Sequence, residues 1–263
     1  MNRRTIRDIQ YGPERFELLD FHAVGDLNGP YPLVIFAHPG GWQTGDKEMV
    51  EDDPLFPHLL EREIHIASIN YSLAPLRYPL AERDAMRAVQ FLRCHAQRLH
   101  IREDMLIGWG ISAGGVNLGL TAFGPDAARP KSPDPVERCS SALQGISLVS
   151  TPTDFTLLGY HPQVAFHLGA NNEGEWNDLP PTYLLGASIV HHATTSKTPI
   201  PPVFLDYPPG MPDPNLNDPH NRVFGLNLLQ AIQGGGNASM ATSFEREERA
   251  EQAVAWIDDL IGG

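Results

Sequence analysis

The sequence predicts an α/β fold: a mostly parallel central sheet flanked by helices, with a lid-like insertion. Three observations predict it. Short apolar or β-branched runs alternate with segments that are apolar at helical spacing. Gly-rich turns follow two of the apolar runs. A chain of 263 residues that is 41% hydrophobic can bury one substantial core. Strands alternating with helices need right-handed crossovers, which cover both faces of the sheet. Ligands of such sheets bind at the carboxyl ends of the strands. The loops after Phe36, Trp109 and Leu205 are therefore expected to meet at one edge.

In order, "RFELLDFHAV" (15–24) reads as an early strand, and "YPLVIFAHPGG" (31–41) as a buried strand running into a Gly-rich loop. "PLFPHLLERE" (54–63) is a helix, and "IHIASINYSL" (64–73) a β-branched strand. "LAERDAMRAVQFLRCHAQRL" (80–99) has Met86, Val89, Phe91, Leu92 and Leu99 at helical spacing. "DMLIGWG" (104–110) is a strand, "AGGVNLGLTAF" a helix and "ALQGISLVS" (142–150) a strand. "PPVFLDY" (201–207) and "NASMATSF" (237–244) are the last strands, followed by helices "VFGLNLLQAI" and "EREERAEQAVAWIDDLI". Two stretches break the pattern. Residues 124–141 form a Pro-rich connection, and 155–200 mixes His, Asn, Gly and Pro without strong periodicity. The second is expected to be a lid or cap within a single domain spanning 1–263, because long irregular segments in compact domains usually carry function.

The formal charge of −13 opposes binding to polyphosphate backbones, so nucleic acid is excluded as a partner. Cys94 and Cys139 make no disulfide framework or zinc spacing and are expected to pack as ordinary buried or half-buried thiols. No window approaches the ~18 apolar residues of a membrane span, and "MNRRTIRDIQ" lacks a following apolar region. A cytoplasmic protein is the expectation, without nucleic-acid or membrane partners and with a homodimer left open.

The chemistry concentrates at two motifs. Gly110-Ile111-Ser112-Ala113-Gly114 matches G-x-S-x-G, with a strand before it and a helix after it. A sharp strand-to-helix turn leaves no room for side chains two residues either side of the serine. Ser112 would then stand at a helix N-terminus, where exposed N–H groups favour negative charge. The competing explanation is a serine that only caps the helix. "HPGGW" (38–42) lies about seventy residues upstream, on the loop after the strand "LVIFA". There the N–H groups of Gly40 or Gly41, with that of Ala113, can aim at a developing oxyanion, beside Trp42 at the substrate position. Pro39 has no N–H to give.

"AHPGGWQTGDK", "ASINYSLAPLRYPLAERDAMRAVQFLR", "GISAGG" and "STPTDF" resemble, in order and spacing, the esterase/lipase branch of the α/β-hydrolases, related to hormone-sensitive lipase and to bacterial feruloyl-esterase-like carboxylesterases. The resemblance spans residues 31–155. It implies an α/β-hydrolase fold, hydrolysis of carboxylic esters through an acyl-serine, and neither cofactor nor metal. It also implies that His38 orders the oxyanion loop without acting as base, that Asp84 and Arg87 are supporting residues, and that Asp154 sits near the lid.

The resemblance fails at the C-terminus. The family's acid follows a strand like "PPVLLIHG" and its histidine follows the last strand. Here the strand is "PPVFLDY", whose Asp206-Tyr207 replaces the usual His-Gly; the acid would come a few residues on, Thr242 or Ser243 stands where the histidine would be expected, and no histidine follows His220. Three accounts answer this. In the first, His220 of "NDPHNRVFG" substitutes as base, oriented by Asp213 or Asp218, with His191 and His192 as weaker alternatives; the competing explanation has His220 capping a helix or packing in its loop. In the second, the oxyanion pocket serves a lyase, isomerase or cyclase. In the third, the site is dead and the fold is a binding or assembly module. The first gives the working assignment: hydrolysis of a small-molecule ester by Ser112, with His220 as base and Asp213 as its partner.

Overall fold

The computed structural model describes residues 3–25, 29–196, 199–212, 214–232 and 238–262. Its centre is an eight-stranded sheet: β1 (Arg4–Gln10), β2 (Leu18–Ala23), β3 (Tyr31–Ala37), β4 (His65–Ile69), β5 (Ile101–Ile111), β6 (Gly145–Val149), β7 (Val203–Asp206) and β8 (Ala238–Met240). The strand order is β1-β2-β4-β3-β5-β6-β7-β8. β1/β2 and β2/β4 pair antiparallel, and every pair from β4 to β8 is parallel. The α/β-hydrolase architecture expected from the sequence is the one observed.

Two-residue alternation along β3 divides the core. Leu33, Ile35 and Ala37 face one apolar layer, and Val34 and Phe36 face the other. The first layer is closed by α2 (Leu80–Cys94), α4 (Ala113–Phe123), α8 (Ile189–Thr195) and α9 (Arg222–Ile232), through residues such as Val89, Val116, Ile189 and Leu228. The second is closed by α1 (Leu55–Glu61) and α10 (Arg246–Gly262), through Leu59 and Ile257. β3 and β5 lie at the middle of the sheet, buried on both faces. That rigid centre carries both motif loops.

Three features differ from the sequence reading. β1 was not predicted: "RTIRDIQ" carries the charged Arg4, Arg7 and Asp8, and the strand is an edge exposed along most of its length. The helix read at 80–99 ends at Cys94, and a single turn, α3 (Ala96–Leu99), follows it. Cys94 and Cys139 are not thiols. They form a disulfide, with Cα atoms 5.7 Å apart, that ties the end of α2 to the Pro-rich connection. Gln90 Nε2 donates to Cys139 O at 2.8 Å, and Arg93 donates to Ser140 O and Ala142 O at 2.6 Å each, so the connection is pinned along its length.

The 155–200 stretch contains four short helices: α5 (Pro162–His167), α6 (Glu173–Asn177), α7 (Pro181–Ala187) and α8. None exceeds seven residues, too few for a helical period to register. Among the described residues, no helix is long and apolar enough to cross a membrane.

Candidate active site

Ser112 sits between the last residue of β5 and the first of α4, at φ 53° and ψ −116°. A non-glycine residue there carries strain of about 1–3 kcal/mol. The turn is held by Ser112 N–H to Val149 O on β6 (2.8 Å) and by Val116 N–H to Ser112 O (3.1 Å). The flanking glycines are steric necessities. A Cβ at Gly110 would fall 2.5 Å from Gly115 Cα, and one at Gly114 would fall 2.2 Å from Ala37 O. The serine makes no side-chain capping bond, so its hydroxyl is not spent on the helix.

The loop after β3 faces this corner. Gly40, Gly41 and Trp42 all have positive φ, at 130°, 60° and 58°. A Cβ at position 40 would lie 2.0 Å from Thr44 O. Among the described residues, the N–H groups of Gly40 and Gly41 meet no protein acceptor, and Ala113, as the first residue of α4, has an N–H outside the helical ladder. His38 lies beneath the loop with its ring stacked on Tyr71 at 4.3 Å. Its Nδ1–H donates to Pro39 O at 2.8 Å, and the Tyr71 hydroxyl donates to His38 O at 2.7 Å. Burial pushes the His38 imidazole below its ordinary value and keeps it neutral near pH 7. Trp42 reaches the cavity wall, but its ring is almost wholly buried. Its Nε1–H donates to Asn117 Oδ1 at 2.9 Å and its face stacks on His167. The expected place of Trp42 beside the substrate position agrees with its being among the residues that line the cavity.

The loop between β7 and α9 supplies the opposite wall. His220 Nε2 stands 2.9 Å from Ser112 Oγ. Asp218 Oδ1 accepts the His220 backbone N–H at 2.9 Å and lies 3.6 Å from His220 Nδ1. Both side chains are about half exposed, at 53% for His220 and 50% for Asp218. Asp213, the other orienting residue considered, lies outside the described residues. His192 instead bonds Gly186 O at 2.8 Å, and neither it nor His191 lines the cavity.

The residues that replace the family's His-Gly after β7 and its histidine after the last strand are otherwise employed. Asp206 is ion-paired to Arg249 of α10. The Tyr207 hydroxyl is buried and donates to Thr151 O. Thr242 N–H donates to Gln252 Oε1 at 2.8 Å, and the Ser243 hydroxyl donates to Glu248. This edge of the sheet is closed by its own side chains.

A cavity of about 520 Å³ opens at Ser112, lined by both motif loops, by Ser150 and Pro152, by His161, Gln163 and Val164, and by 218–220. The loops after β3, β5 and β7 thus converge as the topology requires. His161 and Gln163 were not singled out from the sequence, because nothing in an aperiodic segment says which polar side chains turn inward. Burial, followed by the nearby His220, lowers the His161 imidazole below its ordinary value.

The sequence profile of the BD-FAE family matches residues 19–209. The chain belongs to the BD-FAE family. Among individual proteins, it is 34% identical over 94 residues to an arylesterase of Saccharolobus solfataricus, covering 35% of this chain and 30% of that protein. It is 32% identical over 72 residues to a kynurenine formamidase of Danio rerio, covering 27% and 24%. The matched region spans under a third of the length of either relative. Solved structures share the fold. An acetyl ester-xyloside bifunctional hydrolase from Caldicellulosiruptor lactoaceticus superposes with a TM-score of 0.76 at 20% identity, covering 93% of this chain and 89% of that one. A truncated carbohydrate esterase from gut microbiota gives 0.80 at 13% identity, covering 99% and 97%. The family match stops at residue 209, short of His220.

Proposed function

We propose that this BD-FAE family member hydrolyses a small-molecule carboxylic ester through an acyl-enzyme on Ser112, with His220 as the base. One observation carries the reading: a histidine from the loop after β7 lies 2.9 Å from the serine hydroxyl, although it is not at the position the resemblance predicted. The two accounts without an activated serine were motivated by the missing base, and His220 removes that motive.

The reaction follows from the geometry. His220 Nε2 takes the Ser112 proton as Oγ attacks the ester carbonyl carbon. Negative charge gathers on the carbonyl oxygen, toward the N–H groups of Gly40, Gly41 and Ala113, which need no reorganisation to receive it. The imidazolium faces Asp218 and returns its proton to the departing alkoxide, leaving the acyl group on Oγ. Water then attacks the acyl carbon with His220 again as base, and the carboxylic acid leaves with the serine restored. Asp218 takes the orienting role, since it is the carboxylate beside Nδ1.

Within this reading, the 155–200 segment is a lid or cap on a single domain, as α5 contributes Gln163 and Val164 to the cavity. The Cys94–Cys139 disulfide supports an oxidising compartment rather than the cytoplasm expected from the sequence, where thiols are kept reduced.

Turnover of p-nitrophenyl acetate and butyrate, with fluorophosphonate labelling, tests the reading. Ser112-dependent turnover and labelling are expected. Their absence in the intact protein overturns the esterase assignment. A Ser112→Ala loss with an unaffected His220→Ala overturns only the base.

A further inference from the structure

A buried polar pair lies outside the reaction described above. His167, the last residue of α5, donates from Nε2 to Glu82 Oε1 of α2 at 2.8 Å, and both side chains are 2–3% exposed. Replacing such a pair by apolar residues is often neutral or stabilising, so its burial calls for a role beyond holding α5 in place. The second atoms, His167 Nδ1 and Glu82 Oε2, are buried without a hydrogen-bond partner. The pair is therefore a one-point link, and its direction is set by what the imidazole touches next.

That neighbour is the oxyanion loop. The His167 ring stacks face to face on Trp42, with centroids 3.9 Å apart and planes 3° from parallel. Trp42 follows Gly41 directly and has a left-handed backbone, φ 58°. Its remaining freedom is taken by Nε1–H to Asn117 Oδ1 on the serine's own helix and by its carbonyl accepting Ala74 N–H at 2.7 Å. His167 is itself fixed by its carbonyl, which accepts Tyr78 N–H at 2.9 Å. A chain of contacts thus runs from Glu82 through the imidazole and the indole to the peptide groups of Gly40 and Gly41.

We propose that Glu82 is a positioning residue for ester hydrolysis, acting through His167 and Trp42 to hold the Gly40 and Gly41 N–H groups at the oxyanion position. The proposal rests on the esterase reading. The orientation of a donor toward charge that develops only in the transition state affects kcat and leaves ground-state binding nearly untouched.

The test compares Glu82→Leu, which removes the acceptor, with Glu82→Gln, which keeps an amide oxygen for His167 Nε2–H. Steady-state kinetics on p-nitrophenyl butyrate are read beside the 15N-indole resonance of Trp42, assigned by its loss in Trp42→Phe. Glu82→Leu is expected to lower kcat about 10- to 100-fold with KM within about 2-fold, the size typical of a small misplacement of catalytic groups. It should also shift the Trp42 indole resonance, and Glu82→Gln should restore most of both. A folded Glu82→Leu with kcat within about 2-fold of wild type, an unmoved indole resonance, or a loss that Glu82→Gln does not restore overturns the proposal. Should Glu82→Leu not fold, His167→Phe, which keeps a ring against Trp42 but loses the link to Glu82, is read by the same criteria. If the intact protein lacks Ser112-dependent turnover, the esterase reading fails by itself. The indole resonance then decides whether Glu82 sets the oxyanion loop.

Discussion

The two halves of the site are built by different means. The corner made by the loops after β3 and β5 is a matter of backbone: Gly40, Gly41, Ser112 and Gly114 stand where a Cβ would strike another main chain or where φ is positive. The wall made by the loop after β7 is a matter of side chains, with an exposed histidine and an exposed aspartate two residues apart. A backbone cradle for an oxyanion cannot move without rebuilding the sheet's central loops. A base needs only an imidazole within hydrogen-bond reach, and any loop that arrives at the carboxyl edge can bring one. Here the edge beyond β7 is filled by the Asp206–Arg249 ion pair, and the histidine beside Ser112 comes from the loop between β7 and α9.

Substitutions can break or sharpen this contrast. The largest effect is expected at Ser112→Ala, with kcat reduced by about 10⁴-fold or more on p-nitrophenyl butyrate, since both halves act through that oxygen. On the backbone side, Gly114→Ala drives a Cβ into Ala37 O, and a loss of about 1–3 kcal/mol in urea unfolding should accompany loss of activity. In the filled edge, Arg249→Ala leaves the largely covered Asp206 without its ion-pair partner. It should cost about 3–5 kcal/mol of stability while the remaining folded protein keeps its kcat. A selective kcat loss there would mean that the filled edge takes part in catalysis. Asp218→Asn should lower kcat by only about 10-fold, because a half-exposed carboxylate 3.6 Å from Nδ1 orients the ring in a well-screened setting. The smallest effect belongs to Thr242→Ala, within about 2-fold, as its hydroxyl has no task in the site.

The contrast also explains what could be read from the sequence. Ser112 and the Gly40–Gly41 loop were legible because steric exclusion writes itself as glycine at fixed offsets from a strand. His220 was legible only from its place, after the strand "PPVFLDY" and at the start of the helix "VFGLNLLQAI", and Asp218 only as one of two neighbouring acids. His161, Gln163 and His167 were not picked out, because a helix of six residues has no period to betray which of its side chains turn inward, and Glu82 on α2 gains its meaning only from the partner that α5 brings to it. The disulfide was missed for a related reason. Cys94 and Cys139 are 45 residues apart, and only the return of the Pro-rich connection to the end of α2 brings them together. β1 went unread because an exposed edge strand keeps little of the apolar pattern by which strands are found.

The central claim is that His220 activates Ser112 from the loop after β7. It is tested most directly by the rate of fluorophosphonate labelling of Ser112 as a function of pH, in the wild type and in His220→Ala. The account predicts a wild-type rate that rises as one group loses its proton, and a His220→Ala rate about 10³-fold lower without that rise. Equal rates and the same pH profile in both proteins would contradict it.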